Sequence, residues 1–75
     1  MIENEENIRQ NIKENLYDLR VQTGLTQQDV AVIVEKSPKT VASWEQGISL
    51  PDPTTLYRLA MYYQKTMDYM YNKNK

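Results

Sequence analysis

Between Thr26 and Gly47 the chain reads TQQDVAVIVEKSPKTVASWEQG, and no other stretch restricts its fold so tightly. Thr26 is a good helix N-cap, followed by the polar first-turn residues Gln27, Gln28 and Asp29. Leu25, Val30, Ala31 and Val34 then mark one apolar face, so the spacing predicts a helix over 26–34. Ser37 followed by Pro38 starts a second helix over 38–46: the hydroxyl accepts an orphan amide hydrogen, and proline at the first helical position forfeits no hydrogen bond. Val41 and part of Trp44 are its buried side, and Gly47 is a natural stop. Only about two or three residues separate the helices, so they must cross steeply, at roughly 90–120°. Such a pair cannot bury both its apolar faces alone, and the rest of the chain has to hold it.

Seventy-five residues supply one domain with one small core. With neither cysteine nor histidine, disulfides, thiolate or imidazole metal sites and the commonest general base are all unavailable. No carboxylate pair stands at a defined catalytic spacing, so an enzyme is not expected, nor is a cofactor or a small-molecule ligand. MIENEENIRQ is acidic and lacks an apolar run, which speaks against a secretory signal or a membrane segment. The expectation is a cytoplasmic protein.

The net charge is −1, which is awkward for a nucleic-acid binder, since phosphate contacts dominate affinity. Its distribution is more favourable. Residues 1–35 carry three basic and seven acidic side chains, a balance of −4, whereas residues 36–75 carry six and three, a balance of +3. The positive half begins where the second helix of the pair begins.

Along the chain, residues 1–6 are expected to form a flexible acidic N-terminus. Ile8, Ile12, Leu16 and Leu19 recur every three or four positions, which predicts an amphipathic first helix from Asn7 to about Thr23, ended by Gly24. After the helix pair, Pro51 and Pro53 forbid helix continuation, with Asp52 as the N-cap of a fourth helix that buries Leu56, Leu59, Ala60 and Tyr63. Thr66 caps a short fifth helix with Met67 and Met70 inward, and residues 72–75 are a polar end. The β-branched run Val30–Val34 also suits a strand, but nothing else in the chain offers it a partner. Val32 and Ile33 fall on its less buried side, open either to partial burial or to contact with another subunit. The fold expected is all-α, a compact five-helix bundle over residues 7–71.

The pattern resembles the Cro and lambda-repressor type helix-turn-helix family, also called the xenobiotic-response-element family. The resemblance lies in Leu19-Arg20, Gly24 to Gln27, Val30-Ala31, Val34, Ser37, Thr40-Val41, Trp44 to Gly47, Pro51 and Leu56 to Ala60, and covers about residues 12–70. It implies a lambda-repressor-like bundle that binds double-stranded DNA, the first helix of the pair crossing the backbone and the second entering the major groove. It also implies an internal ion pair of Arg20 with Glu45, which would fix the second helix against the bundle.

Residue by residue, the resemblance puts Gln27 beside a phosphate, helped by the N–H groups of a helix start. Lys36, Ser37 and Gln46 are further phosphate candidates. Base-edge candidates are Pro38, Lys39, Thr40 and Ser43, with Lys39 foremost because lysine can donate to guanine O6 and N7. Departures from the family are also visible. Pro38 replaces a base-reading glutamine or arginine and offers only apolar contact, for instance to a thymine methyl. Ile48 stands where a lysine often grips phosphate. Glu35 occupies a turn position where glycine is frequent, so a left-handed backbone there would be strained and its charge would repel phosphate.

These features imply a sequence-specific, repressor-like transcriptional regulator that binds as a homodimer, since one copy covers little DNA. Tyr62, Tyr69 and Tyr71 exceed what the core can absorb and are candidates for the dimer surface. The alternative is a protein-interaction module that keeps the fold without the DNA affinity.

Overall fold

Each helix of the protein starts on the same device. Asn4, Thr26, Ser37, Asp52 and Thr66 hold extended backbone, and a side-chain oxygen of each accepts the amide hydrogen of the residue three further on. They open α1 (Glu5–Gln22), α2 (Gln27–Val34), α3 (Pro38–Glu45), α4 (Pro53–Tyr62) and α5 (Met67–Tyr71). This is a computed structural model, and it describes residues 4–74. At Thr26 the cap is reciprocal, because Asp29 Oδ2 accepts from the Thr26 amide at 2.9 Å. The same hydrogen bonds, from the Thr26 and Thr55 amides and hydroxyls, hold the Asp29 and Asp52 carboxyls below the usual carboxylate range.

The first four helices also stop alike. Gly24, Glu35, Gly47 and Gln64 take left-handed backbone at φ 74°, 60°, 78° and 59°. The next amide in each case reaches back five residues: Leu25 to Arg20 O, Lys36 to Ala31 O, Ile48 to Ser43 O and Lys65 to Ala60 O, at 2.8–3.1 Å. The two glycines adopt this shape at no steric cost. Glu35 and Gln64 do so at roughly 1–2 kcal/mol each. Short connections with sharp exits follow, and they fold the five helices back on one another.

Packing joins α1 to α3 and α5, α2 to α3 and α4, and α4 to α5. One core results, with Ile12, Leu16 and Leu19 from α1, Val30, Ala31 and Val34 from α2, and Val41 and Trp44 from α3. Leu56, Leu59, Ala60, Tyr63 and Met70 close it from the other side. Among the described residues no helix is long and apolar enough to cross a membrane.

Several expectations change. Helix α1 begins at Glu5, not Asn7, because Asn4 caps it, so residues 4–6 of the supposed flexible N-terminus are folded; residues 1–3 lie outside the described residues. Of the two residues on the less buried side, Ile33 packs on the core and is partly buried, while Val32 is 66% exposed. Tyr69 is half-buried against the core with the Lys65 ammonium 4.6 Å from its ring centre, which takes it out of the surplus set; Tyr62 and Tyr71 stay exposed.

Helix α5 is too short to stand alone, and α1 caps it sideways. The Asn15 amide donates to the carbonyls of Tyr69, Met70 and Asn72 at 3.1, 3.0 and 2.8 Å, and Asn11 donates to Tyr71 O at 3.0 Å. Asn74, in the polar end, donates to Tyr69 O at 2.6 Å and to Asn15 Oδ1 at 3.3 Å, whereas Lys75 lies outside the described residues. Replacing Asn15 by leucine takes the side-chain donor from the buried Met70 carbonyl, while the Tyr69 and Asn72 carbonyls keep the Asn74 amide, so the Asn15→Leu chain is expected to lose about 1–3 kcal/mol in urea unfolding. Unchanged stability would mean that water replaces the amide and that α5 is held by Met70 alone.

Candidate nucleic-acid interface

The orientation of α3 follows from which residues it buries. Val41 and Trp44 lie one turn apart and point into the core, so the opposite side of the helix must face outward. On that side Lys39, Ala42, Ser43 and Gln46 line a shallow depression, closed at its end by Ile48. Pro38, Lys39 and Gln46 are exposed, Ala42 and Ser43 are half-buried, and Ile48 is 70% exposed. Among the described residues no other helix lines this depression.

A polar cluster fixes the far end of α3. Arg20 Nε and Nη2 donate to Glu45 Oε2 and Oε1 at 2.7 and 2.9 Å, a bidentate pair between α1 and α3. Arg20 Nη1 donates to Leu25 O at 3.0 Å, which draws in the α1–α2 connection. The Arg20 side chain is 15% exposed and that of Glu45 6%. The hydrogen bond to Glu45 and its charge raise the Arg20 pKa against the effect of burial, and the Tyr17 ring stacks 5.5 Å from the guanidinium. Burial, with Glu45 nearby, pushes the Tyr63 phenol up to about 12, so it stays neutral beside the pair.

The site residues expected from sequence fall into three groups. Lys39, Ser43 and Gln46 come together around the depression, and Ser43 Oγ shares a hydrogen bond of 2.7 Å with Ser49 Oγ, which narrows its freedom. Lys36, Ser37, Pro38 and Thr40 gather at the start of α3. There Ser37 Oγ accepts from the Thr40 amide at 3.1 Å and pairs with Thr40 Oγ1 at 2.9 Å, while Lys36 Nζ lies 3.8 Å from Asp52 Oδ2 at the surface. Gln27 stands apart: its Nε2 donates to Glu45 Oε1 at 3.1 Å. One amide hydrogen expected at a phosphate is therefore engaged within the polar cluster.

Glu35 has the strained left-handed backbone expected at that turn, with φ 60° and ψ 44°. Its charge, however, has a neighbour that was missed. Arg58 Nη1 approaches Glu35 Oε1 at 3.5 Å while its Nη2 donates to Ile33 O at 3.2 Å. Nothing in the local pattern around Arg58 signals this, because the contact is made across α2 and α4. Ile48, which in the sequence pattern marks only the loss of a cation, forms one wall of the depression.

A family model described as helix-turn-helix matches residues 16–70. No curated protein and no solved structure matches the chain. The matched span runs from the middle of α1 into α5 and contains the whole of α2, α3 and α4.

Proposed function

The chain belongs to the helix-turn-helix family of DNA-binding transcription regulators, and on that footing we propose that it is a sequence-specific, repressor-like regulator acting in the cytoplasm. It binds double-stranded DNA as a homodimer on a near-palindromic site. The observation that carries this reading is the uncovered outer side of α3. A B-DNA major groove is about 12 Å wide and admits one helix.

In this reading Lys39 donates to guanine O6 or N7, and Pro38 and Ile48 offer apolar contact to thymine methyls. Thr40 and Ser43 make short hydroxyl contacts. Lys36, Ser37 and Gln46 hold the sugar–phosphate chain at either end of α3, and Gln27 supports Glu45 while its remaining amide atoms reach the backbone. With so few long readers, specificity draws on DNA shape as well. Two copies then place their α3 helices about one DNA turn apart, roughly 34 Å. Repression follows from occupancy, because a seated dimer blocks polymerase.

A second reading is a protein-interaction module. The exposed Tyr57, Met61 and Tyr62 on α4 favour it. Selection of bound fragments from a random duplex pool, followed by a salt titration, separates the two. The regulator reading predicts enrichment of a near-palindromic sequence and binding that weakens steeply with salt. No retention of any duplex at low salt contradicts it and leaves the interaction module.

A further inference from the structure

Cations are scarce on α3. Lys39 is its one basic residue, near the start, and its last turn has none. The end of the helix is nevertheless flanked by positive charge, supplied by α1. Glu6, Arg9, Gln10 and Lys13 line a depression together with Gln46 and Gly47. Arg9 and Lys13 are one helical turn apart and share a face. The Lys13 stem lies across the turn after α3: a Cβ at Gly47 would sit 3.1 Å from its Cδ and 4.0 Å from its Nζ. Neither cation makes an ion pair with a described residue, whereas Arg20, Lys36 and Arg58 each do. Two cations therefore face one carboxylate, Glu6, in this depression, while on their other sides Arg9 borders Glu5 and Lys13 borders Glu14, Asp18 and Glu45.

We propose that Arg9 and Lys13 form a second patch for the DNA backbone, which receives the phosphates flanking the groove beyond the C-terminal end of α3. The patch rests on the DNA-binding reading above and extends it on to α1. It gives an otherwise acidic first half of the chain a local excess of cations beside Gln46 and Gly47, where the duplex passes. Lysine and arginine here act on phosphate charge alone, so the patch adds affinity and orientation without adding sequence preference. A competing role for Lys13 is purely internal, since a cation near a helix C-terminus is stabilising.

The test is a salt titration of the full chain on the selected duplex and on a random duplex, for wild type and for Arg9→Gln/Lys13→Gln. Each lost phosphate contact lowers the slope of log K against log salt by about 0.9. The double variant is expected to lose about 1–2 from the slope. Affinity falls roughly tenfold per contact near 0.1 M salt, by the same factor on both duplexes. Glu6→Gln is expected to move affinity the opposite way, upward by a few-fold. An unchanged slope with a lowered melting temperature overturns the patch and leaves Lys13 as internal support. A loss confined to the selected duplex also overturns it, because the residues would then be reading bases. If wild type retains neither duplex at about 50 mM salt, the regulator reading has failed and the patch fails with it.

Discussion

An Arg20→Ala variant is expected to melt about 12–24 °C below the parent chain, the consequence of losing about 3 kcal/mol in a domain of this size. The loss exceeds the value of the ion pair itself. Truncating Arg20 strands a Glu45 carboxylate that is 6% exposed, with only Gln27 among the described residues left to pair with it, and frees the Leu25 carbonyl. Arg20→Lys recovers little, because a lysine cannot form the planar fork to both carboxylate oxygens. Removing both charges at once, as in Arg20→Met/Glu45→Leu, is expected to restore much of the stability, since no buried charge is then unpaired. A single variant that melts within 2 °C of wild type would show that water solvates the cluster. The functional consequence follows from geometry. Glu45 is the last residue of α3, so the cluster sets how that helix leans against α1 and α2.

The second large effect is on binding. Lys39→Ala is expected to lose about 1–3 kcal/mol of affinity for the selected duplex, roughly ten- to a hundredfold, with stability within about 0.5 kcal/mol of wild type. Lys39 is exposed and makes no ion pair among the described residues, so truncation breaks no buried contact. The pattern of the loss identifies the contact. Relaxed preference at one base pair marks a guanine edge, whereas a uniform loss with a slope reduced by about 0.9 marks a phosphate. Equal binding by the variant removes Lys39 from the recognition set.

How much of this was legible in the chain depends on how local each feature is. Five N-caps were in view: Thr26, Ser37, Asp52 and Thr66 could be read directly, and Asn4 was passed over only because the acidic terminus looked frayed. Gly24 and Gly47 announce their turns. Neither the Glu35 nor the Gln64 side chain signals a left-handed backbone; Glu35 stands out only through the family resemblance, which offers no such hint at Gln64. The Arg20–Glu45 pair became visible only through family resemblance; a separation of 25 residues leaves no periodic trace. The recruitment of Gln27 to that pair and of Arg58 to Glu35 depends on how helices cross, which no local pattern encodes. Asn11 and Asn15 did leave a trace. They flank the apolar stripe of α1, and polar residues on a buried face call for partners.

The central claim is that the outward side of α3 seats in a DNA groove. Amide chemical shifts of isotope-labelled protein, followed as the selected duplex is added, test it most directly. The account predicts the largest shifts at residues 37–46 and Ile48, smaller ones at Arg9 and Lys13, and little change in α4. Shifts centred on Tyr57, Met61 and Tyr62 with α3 unmoved would contradict it.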